Sequence, residues 1–207
     1  MARARYSIRD FQYIHDVAEH NFAEPVFKCV DIRSSLDEMR KVTENDAIKL
    51  GIELNLEVAE RVPGKVAVEE NVFIQVMINL LRMAMDTIVN RGFIKLHTDY
   101  CRIRRGDPSP WLVIRFELSS CKLDDRERQT INKMASEKDF KRILSADVEP
   151  HFKIAKILCN QLRWRIEFDT NRDLRYKLSI PLTSLPSAED QLAMAEEDVE
   201  IDNEDEP

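Results

Sequence analysis

Four polar side chains stand out in an otherwise apolar stretch of this 207-residue chain: Gln75, Asn79, Arg82 and Asp86, within EENVFIQVMINLLRMAMDTIVN at residues 69–90. Their spacings of four, three and four put them in one narrow stripe along a helix. Two carboxamides, a guanidinium and a carboxylate in a row can hold a polar ligand, and Arg82 and Asp86, four apart, can pair with each other. A solvated helix edge or a satisfied internal network needs the same polarity in the same place, so the stripe alone does not decide between them. Other chemistry is easier to exclude. His15 and His20, five apart, do not share a helix face, and His97 and His151 have no partner at ligand spacing, so no metal site is expected. Cys29, Cys101, Cys121 and Cys159 form no CxxC pair and read as free thiols of a reducing compartment. Only four glycines are present, where an average composition gives roughly 14. Gly51, Gly64, Gly92 and Gly106 are scattered singly, which excludes an ordinary glycine-rich phosphate cradle.

The elements that must position these residues alternate between helix and strand. Residues 7–20 read as a short helix and residues 26–30 as an extended stretch. Asp31 is the expected N-cap of a helix carrying Ile32, Leu36, Met39, Val42 and Leu50, with Gly51 as its C-cap. GIELNLEV alternates as a half-buried strand, and a turn at Pro63-Gly64 leads into the apolar helix, which Gly92 is expected to end. FIKLHTDY and WLVIRFEL form a predicted hairpin. Asp124 and Asp125 suit the start of the next helix, residues 136–148 read as a loop or marginal helix, and Pro150 opens a helix running to about Leu162. RWRIEF and LRYKLSIPL complete the pattern as two strands.

Composition bounds the rest. A chain of this length is one domain of roughly 150 residues plus extras, and 43% hydrophobic content is enough for a real core. Ten of the 38 acidic residues fall in residues 187–207, which hold no Lys or Arg; the remainder has 31 basic against 28 acidic residues, a net of +3. The acidic tail is read as a solvated end, or as a docking segment for a basic partner. No apolar run approaches the roughly 20 residues of a membrane span, and no apolar segment follows the basic N-terminus, so an intracellular, cytoplasmic protein without a membrane partner is expected. Arg102, Arg104 and Arg105, with Lys153, Lys156, Arg163 and Arg165, raise the question of nucleic acid, which a net of only +3 argues against.

The order of elements resembles the ATP-binding domain of sensor histidine kinases, of the superfamily shared with gyrase, heat-shock protein ninety and MutL. GIELNLEVAERVPGKVAVEENVFIQVMINLLRMAMDTI is similar to the family's run from its second strand through the N-box helix, with the Gln-Val-x-x-Asn-Leu-Leu core at Gln75 to Leu81. IAKILCNQL and LRYKLSIPL resemble its last helix and strand, and IRDFQYIHDVAEHNFAEPVFKCVDIRSSLDEM its passage from a dimerisation helix into the first strand and helix. The resemblance implies an α+β two-layer sandwich, a mixed sheet of about five strands covered on one face by about three helices. Residues 21–185 would form this domain, residues 1–20 an N-terminal helix able to pair two chains, and residues 186–207 the acidic tail.

Carried over position by position, the family's nucleotide site is altered in this sequence. The N box runs Asn-x-x-x-Asn, its second Asn helping to hold magnesium. Asn79 matches the first position and Met83 stands at the second, where a thioether is a poor ligand for a hard cation and reads as packing. The first glycine box, Asp-x-Gly-x-Gly, becomes Leu118, Ser120 and Lys122, and leucine cannot accept the adenine amino group. Residues 147–153 replace the second glycine box without a glycine, and Glu149 brings a negative charge to the phosphate position. His15 is followed by Asp16 as in the phosphoacceptor motif, but the rest of that motif is missing. The resemblance therefore implies a degenerate, non-catalytic domain acting as a protein-binding module, with a histidine kinase or receiver domain as partner and Gln75, Asn79, Arg82 and Asp86 facing the former cleft. No cofactor is expected; ATP and Mg2+ belong to the alternative, a divergent but active domain.

Overall fold

The computed structural model describes residues 26–89, 91–101, 110–119, 121–169 and 175–182. The expected helix at residues 7–20, the hairpin tip with Arg102, Arg104 and Arg105, Ser120 and the acidic tail lie outside these residues.

Local sequence signals account for most element ends. Helix α1 (Ile32–Leu50) starts at Asp31, whose carboxylate accepts the backbone N–H of Arg33 at 2.9 Å and of Ser34 at 3.2 Å. It stops at Gly51, whose φ of 68° is left-handed and whose absent Cβ would lie 2.9 Å from Arg91 Cγ. The apolar helix α2 (Glu70–Thr87) is capped by the Glu69 carboxylate. It ends at Thr87, before the expected glycine, and Gly92 instead opens a strand, where a Cβ would sit 2.2 Å from Ser119 Oγ. Helix α3 (Asp125–Ser136) has a reciprocal capping box between Asp124 and Glu127. Part of residues 136–148 folds as the short helix α4 (Phe140–Ser145), and α5 (Pro150–Gln161) has proline in its first turn.

Seven strands among the described residues complete the fold: β1 (Lys28–Val30), β2 (Ile52–Val58), β3 (Val66–Val68), β4 (Gly92–Cys101), β5 (Trp111–Leu118), β6 (Arg165–Asp169) and β7 (Arg175–Pro181). Five make a mixed sheet in the order β2-β4-β5-β7-β6. Strand β2 runs parallel to β4, joined through α2, and the other neighbours are antiparallel, including the predicted β4–β5 hairpin. Strands β1 and β3 form a separate antiparallel ribbon that the turn signal at Pro63-Gly64 did not announce.

Alternation along the strands sends Ile94, Leu96, Leu112, Ile114, Phe116, Leu118 and Leu178 into one core with Leu36 and Met39 of α1, Phe73, Met77, Leu80 and Met83 of α2, and Phe152 and Leu158 of α5. Helix α2 packs between α1 and α5, which is why its apolar residues run almost all round. The opposite face of the sheet carries charged pairs across strands, including Lys95 with Glu57 at 2.8 Å, Arg175 with Glu117 at 2.8 Å, and Lys177 with Glu167. One helix-covered face is the predicted two-layer architecture. No helix among the described residues is long and apolar enough to cross a membrane.

Candidate functional site

The polar stripe of α2 meets the start of α5. Asn79 is buried, and its Nδ2 donates to the Gln75 carbonyl one turn back at 2.8 Å. That fixes the orientation of the carboxamide and leaves Oδ1 facing His151 Nδ1 at 2.9 Å. A carboxamide oxygen only accepts, so Nδ1 of the imidazole carries the proton in this contact.

Two residues before His151, Glu149 caps α5. Its carboxylate accepts the N–H of His151 at 3.0 Å and of Phe152 at 2.9 Å, which satisfies donors at the helix start that would otherwise face the cleft. Asp86 reaches the same place from the last turn of α2: one ligand-type atom each from Asp86, Glu149 and His151 lies within 4.8 Å of the others. Burial, and then the charge of Asp86, push the Glu149 carboxyl up to about 7, against the pull of the two backbone N–H groups and Lys153. From the sheet, Tyr176 donates its hydroxyl to the Leu80 carbonyl at 2.7 Å and stacks on Phe116. Its own ionisation is pushed up by burial and by the charge of Glu149. The site thus combines a carboxyl that exchanges a proton near neutrality with a tautomer-fixed imidazole. Asp86, Glu149 and His151 are also donor types that suit a divalent transition metal, although metal–ligand bonds of about 2.0–2.2 Å would draw them closer together.

Of the residues singled out in the sequence, Asn79 and Asp86 reach this cluster. Gln75 is half-buried and supplies its backbone carbonyl. Arg82 is exposed, and of the two arrangements its spacing allows, the ion pair with Asp86 is not formed. Met83 is fully buried in the core, and Leu118 points inward from β5 at 1% exposure. Lys122 is exposed, its backbone N–H tied to the Thr87 carbonyl at 2.9 Å. His151, for which the sequence offers no partner at ligand spacing, meets Asn79, 72 residues away, in a hydrogen bond. Glu149 is a helix cap as well as a negative charge. The Glu-Pro pair that opens α5 was the available signal for that role, whereas nothing local could announce the meeting with Asn79.

No family model and no curated protein matches the chain. Solved structures do. Histidine kinase AdeS of Acinetobacter baumannii superposes with a TM-score of 0.58 at 12% identity, over 86% of this chain and 77% of that one. The catalytic domain of histidine kinase ThkA, in a nucleotide-free form, gives a TM-score of 0.56 at 14% identity, over 75% of this chain and 95% of that domain. The fold is that of a histidine kinase ATPase domain. Full-length ShkA, solved in complex with AMPPNP, gives a TM-score of 0.60 at 13% identity over 86% of this chain, which matches 36% of ShkA. At these identities the likeness is one of backbone architecture.

Proposed function

We propose that this chain is a histidine-kinase-type ATPase domain that no longer binds nucleotide and works as a protein-binding module, with a histidine kinase or a receiver domain of a phosphorelay as its partner. The observation that carries the reading is the N-terminus of α5. In a phosphate-binding helix start the backbone N–H groups are left for the ligand; here the Glu149 carboxylate occupies them itself. An incoming triphosphate would have to displace that cap and meet the charge of Asp86 beside it. Two further placements support the reading. Met83, at the magnesium-binding position of the N box, is a fully buried core residue and a poor ligand for a hard cation. Leu118, at the adenine-recognition position, is equally committed to the core. The residues present therefore do not fit MgATP.

A divergent, active ATP-binding domain is the second reading. It is favoured by the retained Asn79 and by the donor atoms of Asp86, Glu149 and His151 lying within 4.8 Å of one another. Isothermal calorimetry separates the two. The first reading expects no magnesium-dependent heat with ATP or ADP, and saturable binding of a purified receiver or kinase domain. Micromolar, magnesium-dependent nucleotide binding that is lost in Asn79→Ala supports the second.

A further inference from the structure

On the side of α5 away from His151, a groove of about 760 Å3 runs between α3, α5 and β6. Its volume lies within the range of small-molecule sites. Lys156 lines it, and this lysine is only 4% exposed. Among the described residues its ammonium has no hydrogen bond and no ion pair. Glu137, the carboxylate whose field bears on it, is engaged elsewhere: it accepts the N–H groups of Lys138 at 2.9 Å and Asp139 at 3.0 Å, and lies 3.6 Å from Arg142. The stem is covered while the ammonium reaches the groove, and a cation held mostly out of water without a counterion is disfavoured. Burial accordingly lowers the Lys156 ammonium from its ordinary value, a cost that a bound anion would offset.

Two more cations line the same groove, Lys138 and Arg163. Arg163 has a φ of 58°, the one positive φ of a non-glycine residue among the described residues. It follows the last turn of α5, where its N–H bonds to the Asn160 carbonyl and the Trp164 N–H reaches the Cys159 carbonyl at 2.8 Å. Glycine is the residue this helix-ending motif favours, so an arginine here accepts backbone strain and gains a guanidinium in the groove lining. Of the other described basic residues read from the sequence, Lys153 donates to the Leu144 carbonyl at 2.9 Å, and Arg165 lies 4.8 Å from the Trp111 ring centre.

We infer that the groove between α3, α5 and β6 binds a small, multiply charged anion of the phosphate class, with Lys156, whose stem is covered, as its main contact and Lys138 and Arg163 as further lining cations. These three cations line it, and its one carboxylate, Glu167, is already paired with Lys177, so a phosphate dianion matches the cations with acceptor oxygens for each. The site is separate from the nucleotide cleft and needs no magnesium.

Thermal melts and calorimetry of the full chain with inorganic phosphate, pyrophosphate and citrate test the assignment at fixed ionic strength. Pyrophosphate is expected to bind saturably and raise the melting temperature. Lys156→Met, which removes the uncompensated charge, should fold at least as stably as the wild type and weaken pyrophosphate binding about tenfold or more, the effect of one lost charge-assisted hydrogen bond. Arg163→Gly relieves the strain, so it folds, and should weaken binding to a smaller extent. Binding of citrate alone would overturn the phosphate assignment. Stabilisation that is absent in the wild type, or unchanged in Lys156→Met, would overturn the site, since an anion acting by general exclusion from the surface does not depend on Lys156.

Discussion

Glu149→Gln isolates how strongly the cleft resists a negative charge. Burial and the neighbouring Asp86 lift the Glu149 carboxyl from the ordinary 4.5 to about 7. Because the folded value lies above the unfolded one, the folded chain holds more protons between those two pH values, and stability is lost as pH rises through that window. At about 1.36 kcal/mol per pH unit the full loss is at most about 3 kcal/mol. Below the unfolded value the carboxyl is neutral in both states and the penalty disappears. Glutamine does not titrate; it keeps one carbonyl oxygen for capping α5 and gives up the second acceptor, at a cost of roughly 1 kcal/mol. In urea denaturation the variant should therefore be about 1 kcal/mol less stable than the wild type near pH 4.5, and about 2 kcal/mol more stable at pH 8. Asp86→Asn should move the wild-type transition to lower pH, because it removes the second cause of the shift while leaving burial in place. A Glu149→Gln difference that stays constant across the range would refute the reasoning, since the cap would then be an ordinary ionised carboxylate.

Three further outcomes follow from the geometry. A double-mutant cycle of Asn79→Ala and His151→Ala should return a coupling of about 1 kcal/mol by chemical denaturation, and additive losses would mean that the 2.9 Å contact contributes nothing. Tyr176→Phe should cost about 1 kcal/mol of unfolding free energy, because the buried Leu80 carbonyl, inside α2, loses the hydroxyl donor that it has beside its helical one. Asp99 is held down to about 2, first by the Arg61 guanidinium, so it contributes stability that is present above its ordinary value of 3.8 and lost as pH falls through about 2. Arg61→Met should flatten that acid limb in melts between pH 4 and pH 2, and an unchanged limb would assign it to other carboxylates.

Much of the fold was legible because it is written in short-range terms. Asp31 and Gly51 delimit α1 by capping chemistry, Pro150 opens α5, and the alternation of GIELNLEV, FIKLHTDY and WLVIRFEL follows the two-residue period of strands with one buried face. The extended stretch at residues 26–30 is legible, but its pairing with β3 is not, because each strand has only three residues and the partners Lys28 and Val68 stand forty positions apart. Gly92 was expected to stop α2, yet its bare Cα serves a close approach by Ser119, a tertiary reason invisible in the local pattern. At the site, the stripe from Gln75 to Asp86 was visible as periodicity. Its division into a buried Asn79 and an exposed Arg82 depends on α5 lying against one side of α2. The hydrogen bond of His151 is not legible because Asn79 is distant in sequence, and the burial that raises Glu149 exists only once α5 has docked.

Calorimetric titration of the full chain with MgATP tests the central claim most directly. With Glu149 occupying the start of α5 and Met83 and Leu118 committed to the core, the expected result is no magnesium-dependent heat at concentrations up to the millimolar range. Micromolar binding that requires magnesium and disappears in Asn79→Ala would contradict the account, for it would mean that the cap at Glu149 yields to a triphosphate and that the cleft still works as a nucleotide site.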